Sequence, residues 1–416
     1  MDDSSSEQTD NKTGLDGFLQ RIYRPGPLVF LFTVAFLGLI SFGYFLVTEE
    51  TPPPAVLASA PTSKVQPTII PVKRTPVVKE YEEETAEMED FVKQTDFAIL
   101  ETLRELAVAM SDLDLVDVVL RQHEGHSYHY QVLQLPRVKD RNKFLVTLRR
   151  HIFERLPDAI LLDNGDNEAI IRINDLPTHR LLLEAKPEII VRPEAKKPKL
   201  AIVIDDIGEN HAVLKGLLDL DLPLTFAVWP HASHTEDSIS LIGLKNRDLI
   251  IHFPMEPKGY PKVKPGEDAL FVNMTTAQIQ QQIVENLSRV PQAIGVNNHM
   301  GSRFTAFSPG MTTALTEFKR RGLFFLDSMT SAQSVGRQTA QDVGIPFYKR
   351  DIFLDNVKDV NAIVHQLKKT ERVAARQGTA IAIGHPYKET LAALKQWQAD
   401  RKPSVQIISL SQISPK

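Results

Sequence analysis

The chain has 416 residues, which suggests two or three domains of ordinary size. Its net charge of −4 and its 24% share of charged residues imply no strongly basic surface, so the sequence predicts no nucleic-acid partner. It contains no cysteine, which excludes disulfides, thiolate metal sites, a cysteine nucleophile and a lipoprotein anchor, so that any metal must bind through histidine, carboxylate or water.

Residues 25–48 carry no charge and are predicted to form a single transmembrane helix. About 20 apolar residues span a bilayer as a helix. The segment is too long for the apolar part of a signal peptide, and no small-residue cleavage site follows it closely. Arg21 and Arg24 precede it, whereas acidic residues follow. The positive-inside rule then predicts a cytoplasmic tail at residues 1–24 and C-terminal domains on the periplasmic or extracellular side.

A linker over residues 49–80 is predicted to follow the membrane helix, because its repeated prolines keep the chain extended. Residues 81–192 combine helical and strand periodicities and predict a small α+β domain. Its helices are expected at residues 91–110 and 144–156. The residues of this domain indicate no chemistry. Contacts with other envelope proteins are one hypothesis for its role.

Residues 198–416 alternate strand candidates with amphipathic helix candidates. One helix is predicted over residues 311–321, with Ser308 as its N-cap. Strands are predicted to begin at Leu200, Leu224, Leu249, Ile294, Leu323, Thr379 and Val405. This alternation predicts an α/β domain built on a parallel sheet that is either open or closed into a barrel. Such folds bind ligands beyond the carboxyl ends of their strands.

Several of these predicted strands end in or close to acids and histidines. Asp205 and Asp206 end the first apolar run of the domain. Three later runs each end close to a histidine, and these are His252, His299 and His385. Because the carboxyl ends of parallel strands meet at one edge of the sheet, we expect the five side chains to lie together. Two carboxylates and three imidazoles can hold a divalent metal and move protons.

The residue types predict separate roles within this cluster. Asp206, His252 and His299 are candidate ligands of a divalent metal, expected to be zinc, because one carboxylate and two imidazoles leave positions open for water and substrate. Asp205 is a candidate general base, and His385 is a candidate general acid near neutral pH. Taken singly, the two acids fit a helix cap equally well, and each histidine fits a buried residue bonded to backbone. The metal hypothesis depends on their combination.

Four further residues belong to the predicted site. Arg303 could pair with Asp205 and keep that carboxyl ionised, although a surface arginine is an equal alternative. Trp229 ends a predicted strand and could stack on a sugar ring, although packing in the core is an equal alternative. Glu256 and Tyr387 follow candidate histidines closely in the chain and are further candidates for binding substrate.

Residues 200–415 resemble the divergent polysaccharide deacetylase family, a distant branch of the NodB-homology carbohydrate esterases. The resemblance is carried by the segments IVIDDIG (202–208), HFPMEP (252–257), NNHMGS (297–302), LDS (326–328) and GHP (384–386). It implies a distorted (β/α) barrel fold. It also implies an enzyme that removes N- or O-acetyl groups from sugars with the help of a divalent metal. The implied substrate is an amino-sugar polymer such as peptidoglycan or an exopolysaccharide.

The resemblance also implies roles for individual residues. In the better-known esterases the first aspartate of the Asp-Asp pair is the base and the second binds the metal, which implies these roles for Asp205 and Asp206. A late histidine at a strand end is the acid in those enzymes, and His385 matches it. An arginine orients the base in those enzymes, and Arg303 is a looser match to it.

The chain departs from those esterases in its metal ligands. They take two histidines from one His-x-x-x-His motif, whereas here Glu256 stands four residues after His252. Either His299 supplies the second imidazole from another strand, or Glu256 replaces it. Because of this departure, two alternatives to an enzyme stay open. One is an inactive glycan-binding protein with a deacetylase-like fold, and the other is an envelope scaffold.

Overall fold

The computed structural model describes residues 87–415 apart from 111–112, 124–125, 166, 184–196, 267 and 402–403. The predicted tail (1–24), membrane helix (25–48) and linker (49–80) lie outside the described residues. Within the described part of the chain, no helix combines the length and the apolar character needed to cross a bilayer. The described residues form two β-sheets, one of five strands and one of nine.

The five-stranded sheet and its two helices are built from the N-terminal part of the described chain. In chain order the elements are α1 (Glu87–Glu105), β1 (Asp114–His123), β2 (His126–Gln134), α2 (Arg141–Arg155), β3 (Ile160–Asp163), β4 (Glu168–Ile173) and β5 (Leu176–Leu182). The strands lie in the order β1-β2-β5-β4-β3, and only β2 and β5 are parallel neighbours. Both predicted helices occur, but α1 begins four residues before the predicted range of 91–110 and ends five residues before its end, and α2 begins three residues before the predicted start at 144. Strands β1 and β3 were not predicted, because β1 is largely polar and β3 has only four residues.

The nine-stranded sheet alternates with helices along the chain. Its elements are β6 (Lys199–Ile207), α3 (His211–Leu218), β7 (Thr225–Val228), α4 (Thr235–Leu244), β8 (Asp248–Met255), α5 (Thr276–Arg289), β9 (Gly295–Met300), α6 (Ser308–Arg320), β10 (Phe324–Asp327), α7 (Gly336–Val343), β11 (Phe347–Lys349), β12 (Ile352–Phe353), α8 (Val360–Gln377), β13 (Thr379–Gly384), α9 (Lys388–Asp400) and β14 (Gln406–Ile407). Every strand pair of this sheet is parallel. The predicted α/β architecture is therefore confirmed.

The order of the strands shows how far the predicted barrel is closed. It runs β11-β10-β9-β8-β7-β6-β13-β12, and β14 pairs with the start of β6. The edge strands β11 and β12 follow each other in the chain, but no ladder joins them in the described sheet. They have only three and two residues. The barrel is therefore incompletely closed and forms a half-barrel.

Burial explains why the central strands are apolar without alternation. Residues 200–204 of β6 have no exposed surface, as expected for a parallel sheet that is covered on both faces. The flanking helices are amphipathic, and α5 begins with a capping box in which Thr275 and Gln278 satisfy each other's backbone amides. Helix α6 begins at Ser308 with Phe307 as its N-cap, so the prediction of Ser308 as cap was wrong. The observed cap lies one residue before the predicted one.

Helix α8, which precedes strand β13, packs on the five-stranded unit. A buried ion pair lies in this contact. The ammonium of Lys369 has no exposed surface and lies 3.1 Å from Oε1 of Glu89 in α1. Nδ1 of His129 in β2 lies 2.8 Å from the same oxygen. A buried charge is costly unless it is paired. The carboxylate of Glu89 therefore stabilises the contact between α8 and the five-stranded unit.

We expect Glu89→Gln to lower the free energy of unfolding by about 3–5 kcal/mol, because it leaves the buried charge of Lys369 without its partner. Chemical denaturation of the full-length chain, followed by circular dichroism, measures the loss. The matched control is Glu105→Gln on the same helix, since Glu105 is 47% exposed, pairs with Arg150 at the surface and can keep its contact with His151 through the amide oxygen. That variant should lose much less stability, because an exposed ion pair contributes little. Equal losses in the two variants would contradict this role for Glu89.

The same pair predicts a dependence of stability on pH. Burial by itself raises the pKa of Glu89, but His129 and Lys369 hold that pKa below its usual range. A carboxyl with a depressed pKa stabilises the folded state fully above its unfolded pKa of about 4.3, and the contribution is lost as pH falls through the folded value. The difference in unfolding free energy between wild type and Glu89→Gln should thus be full at pH 7 and smaller at about pH 3. A difference that is equal at both values would exclude this explanation.

Candidate functional site

The end of strand β6 is irregular, and this irregularity places two carboxylates at one rim of the sheet. β6 pairs regularly with β7 as far as Ile204 and resumes pairing at Ile207, so Asp205 and Asp206 form a bulge. Asp206 has a left-handed backbone with φ of 52°, which residues other than glycine seldom adopt. A bulge interrupts the alternation of side chains along a strand and redirects one of them. Both acids consequently reach the same cluster.

The register between β8 and β9 brings the histidines of these strands to that cluster. His252 lies opposite Asn297, and His299 follows two residues later along β9. Side chains alternate along a strand and opposed residues share a face, so these three side chains lie on the same face of the sheet. All three are buried. His252 lies inside its strand instead of at the end, since β8 continues to Met255.

Asp206, His252 and His299 bring three ligand atoms together. Oδ1 of Asp206 lies 3.0 Å from Nε2 of His252 and 3.1 Å from Nδ1 of His299, and the two nitrogens are 3.1 Å apart. Tetrahedral zinc with ligand distances of about 2.0–2.1 Å requires ligand atoms about 3.3 Å from one another. Oδ1 of Asp206 is buried, and among the described residues it has no contact with hydrogen-bond geometry. The three donors therefore fit a divalent cation.

The two acids have pKa values displaced in opposite directions. Burial raises the pKa of Asp205, and the nearby imidazoles of His252 and His385 offset that increase only in part. Burial would also raise the pKa of Asp206, but His299 and His252 hold it well below its ordinary value. Acids whose pKa values are separated in this way suit different roles. Asp206 stays ionised, as a ligand must, and Asp205 is suited to accept a proton.

Asn297 connects the candidate base with a candidate ligand, a role that its position in the sequence did not reveal. Its Nδ2 donates to both carboxylate oxygens of Asp205, at 2.8 and 2.9 Å. With Nδ2 turned to Asp205, its Oδ1 accepts a hydrogen bond from Nδ1 of His252 at 2.9 Å. This bond keeps the proton of His252 on Nδ1, so the lone pair of Nε2 points to the ligand cluster. The spacing of Asn297 and His299 on one strand was the signal that could have identified it.

We expect Asn297→Ala to weaken zinc binding about 10–100-fold, because it removes the group that orients His252. Isothermal titration of the full-length chain with zinc measures the affinity. Asn298→Ala is the matched control, since Asn298 is equally buried but bonds to the backbone of Met300 and Ser328. It should lower stability without a comparable loss of zinc affinity. Equal losses of affinity in the two variants would show that Asn297 has no specific role.

His385 follows strand β13 and is held by a buried aspartate that was not among the predicted site residues. Nδ1 of His385 lies 2.9 Å from Oδ1 of Asp355, whose Oδ2 accepts hydrogen bonds of 2.6 Å from the amide of His385 and from Thr390. Burial by itself would lower the pKa of His385, but Asp355 raises it to about 9. Nε2 of His385 lies 3.9 Å from Oδ2 of Asp206. A protonated imidazole at this position can donate a proton at neutral pH.

Of the two alternatives for Arg303, the structure fits the surface arginine and not the partner of Asp205. Its guanidinium lies 2.7 Å from Oε1 of Glu256 and is half exposed, whereas Asp205 accepts its hydrogen bonds from Asn297. The expected ion pair between Arg303 and Asp205 is therefore wrong. The reason is local, because the amides of Arg303 and Phe304 both donate to the carbonyl oxygen of Glu256 and so direct this turn away from Asp205.

Glu256 has both carboxylate oxygens engaged away from the metal ligands. Oε1 lies beside Arg303, and Oε2 accepts a hydrogen bond of 2.7 Å from the amide of Val272. The second imidazole near His252 is that of His299. Of the two alternatives for the missing histidine of the esterase motif, the geometry thus favours His299 over Glu256.

Two aromatic rings flank the cluster on different sides. Trp229 stacks on His299 with ring centroids 4.9 Å apart and an angle of 28°. Tyr387 stacks on His385 with centroids 5.6 Å apart and an angle of 27°. Both aromatic side chains are half-buried. Each predicted aromatic residue therefore contacts one histidine of the site and keeps part of its surface accessible.

Comparisons with known proteins give one family profile and several uncharacterised relatives. The profile of the divergent polysaccharide deacetylase family matches residues 202–414. An uncharacterised protein of Haemophilus influenzae is 33% identical over 215 residues, which cover 52% of this chain and 76% of that protein. The uncharacterised protein YibQ of Escherichia coli is 31% identical over 215 residues, which cover 52% of this chain and 67% of YibQ.

Among solved structures, the uncharacterised protein ATU2773 of Agrobacterium tumefaciens is similar, with a TM-score of 0.48 and 26% identity over 52% of this chain and 89% of that chain. The match that decides the family is the one to its profile. It spans just over half of the chain and includes every side chain of the cluster described above. The chain is a member of the divergent polysaccharide deacetylase family.

Proposed function

We propose that the protein removes acetyl groups from an amino-sugar polysaccharide, such as peptidoglycan or an exopolysaccharide. The observation that carries the proposal is the set of three ligand atoms within 3.1 Å of one another, next to the buried carboxylate of Asp205 and the imidazole of His385. Metal-assisted hydrolysis of an acetamide or acetyl ester uses a Lewis acid, a base for water and an acid for the leaving group. Membership of the family supports the choice of substrate.

Asp205 is the proposed general base, and Asn297 positions it. A zinc ion held by Asp206, His252 and His299 would supply Lewis acidity toward the acetyl carbonyl and the attacking water. Asp205 takes a proton from that water as the oxygen bonds to the carbonyl carbon. The two hydrogen bonds from Asn297 hold both oxygens of Asp205, which limits the orientations in which the carboxylate accepts the proton.

His385 is the proposed general acid. Asp355 engages Nδ1 of His385, so the transferable proton is the one on Nε2, the ring nitrogen nearer to Asp206. When the carbon–nitrogen or carbon–oxygen bond of the acetyl group breaks, His385 gives that proton to the departing amine or alcohol. The products are acetate and a deacetylated sugar. A histidine with a pKa of about 9 starts each cycle protonated at neutral pH.

We also propose that Trp229 and Tyr387 contact the sugar chain on the two sides of the cluster. A half-exposed aromatic ring offers an apolar face on which a sugar ring can stack, and both side chains contact site histidines. Glu256 would act less directly, since its bonds to Arg303 and Val272 shape the wall of the site. Truncation of an aromatic residue should then raise KM more than it lowers kcat.

We place the site outside the cytoplasm, anchored by the helix predicted at residues 25–48. The support is the apolar run and the arginines before it. Treatment of intact and permeabilised cells with protease tests this placement. We expect the protease to digest the C-terminal residues when the inner membrane is intact and its outer face is accessible. Protection of those residues until the inner membrane is permeabilised would contradict the placement.

The activity is tested by measuring acetate released from N-acetylated chitooligosaccharides, from O-acetylated glycans and from peptidoglycan. The full-length chain is assayed in detergent with zinc and after treatment with a chelator. We expect zinc-dependent acetate release from at least one of these substrates. Retention of a glycan without acetate release would favour the inactive glycan-binding alternative, and neither binding nor release would favour the scaffold.

A further inference from the structure

A second group of metal-binding side chains lies at the same end of the sheet, outside the candidate active site. His211 begins α3, His234 directly precedes α4, and Asp237 lies in the first turn of α4. Each offers one ligand atom, and the three atoms lie within 4.8 Å of one another. Helices α3 and α4 follow strands β6 and β7, which places this group beyond the carboxyl ends of those strands. The proposed mechanism uses none of its members.

The side chains of this group lie close to one another. The rings of His211 and His234 are stacked, with centroids 5.2 Å apart and an angle of 28°. Nδ1 of His234 lies 3.9 Å from Oδ2 of Asp237. Nε2 of His211 is buried and has no hydrogen-bond partner among the described residues. A buried polar atom without a partner is costly, and a bound cation would provide that partner.

The backbone brings the two loops of this group into close contact. The amide of His234 donates to the carbonyl oxygen of Gly208 at 2.9 Å, and the amide of Ser233 donates to the side chain of Glu209 at 2.9 Å. Gly208 has a φ of 137°, and a Cβ at this position would lie 2.3 Å from Cβ of Ala232. Only glycine allows this approach. The two histidines are therefore held near each other by their loops.

We propose that His211, His234 and Asp237 form a second zinc site. Two imidazoles and one carboxylate are a donor set that zinc prefers and that leaves positions open for water. The side chains of His234 and Asp237 are 47% and 70% exposed, so their rotamers can adjust around the ion. A zinc ion bound to these three residues would link the segment that follows Asp206 to the segment that follows Trp229. The site thus stabilises the rim and takes no part in the reaction.

The experiment counts zinc ions in a chain that lacks the first cluster. The background is the full-length chain without a histidine tag, carrying Asp206→Ala and His252→Ala. Equilibrium dialysis followed by elemental analysis should find one zinc ion per chain. Adding His211→Ala and His234→Ala to the background chain should abolish zinc binding, whereas adding His231→Ala should leave the zinc ion bound. His231 is the matched control because it is a part-exposed histidine of the same loop that bonds to Asn286.

Each outcome decides the proposal. It is overturned if the background chain binds no zinc, or if the further loss of His211 and His234 leaves the bound zinc unchanged. Thermal unfolding supplies a second measurement, since zinc should raise the melting temperature of the background chain but not of the chain that also carries His234→Ala. His234 is half exposed, so this single change leaves the core intact, and circular dichroism checks its folding. None of these measurements depends on acetate release.

Discussion

Asp205→Asn should lower kcat/KM for acetate release by about 10²–10⁴-fold while zinc stays bound. An asparagine has nearly the same shape as aspartate but cannot accept the proton of the attacking water. The ligand atoms of Asp206, His252 and His299 are untouched by the change. Acetate release, measured together with the zinc content of the same preparation, tests the prediction. Loss of activity without loss of metal is the signature of a base that is not a ligand.

Asp248→Asn is the matched control for this prediction. Asp248 begins strand β8, at the end opposite to the site, and its side chain accepts a hydrogen bond from the amide of Ser411. An asparagine oxygen can accept the same bond, so we expect activity close to wild type. If Asp205→Asn kept more than about a tenth of the wild-type rate, Asp205 would not be the base. If it lost zinc as well, Asp205 would have to be counted among the ligands.

His252→Ala should lose both zinc and activity. Nε2 of His252 is one of three ligand atoms that lie within 3.1 Å of one another, and the side chain of His252 is 3% exposed. Removal of a ligand should weaken zinc binding at least 100-fold, more than the loss of a group that only orients a ligand. His151→Ala is the matched control, because His151 is also buried but bonds to Glu105 in the five-stranded unit. Wild-type zinc affinity in His252→Ala would refute the proposed ligand set.

A pair of variants extends this test to the second imidazole. His299→Ala should lose zinc as His252→Ala does, whereas Glu256→Gln should keep it, because both oxygens of Glu256 are engaged by Arg303 and Val272. The opposite result would show that Glu256 replaces the missing histidine of the esterase motif. Zinc affinity by titration is sufficient for this comparison, and it is independent of whether the correct glycan has been found.

The pattern of strand ends alone predicted most of the candidate cluster. Each central strand is an apolar run long enough to identify, and parallel strands place their carboxyl ends at one edge of a sheet. Asp205, Asp206, His252 and His299 end or nearly end such runs, so their convergence follows from topology. The α/β architecture follows from the same alternation of strands and helices. These are local patterns of the chain, which is why the sequence was sufficient.

The tertiary structure decided which side chains of the cluster contact one another. The bulge at Asp206, which turns both acids inward, depends on the pairing of β6 with β7. Asn297 of β9 reaches Asp205 of β6 across 92 positions of the chain, although β7 and β8 lie between these strands in the sheet. Arg303 was misplaced because backbone hydrogen bonds to Glu256 direct its turn.

The contact of Asp355 with His385 is another that the sequence did not predict. Asp355 holds His385 through Nδ1, yet it follows β12, which has two residues and carries no periodic signal.

The sequence by itself determined the fold class and the rim at which acids and histidines gather, because hydrophobic period and strand ends are local properties. Hydrogen-bond partners and ligand geometry were decided only in three dimensions, since strand register and turn conformation arise from contacts between residues far apart in the chain.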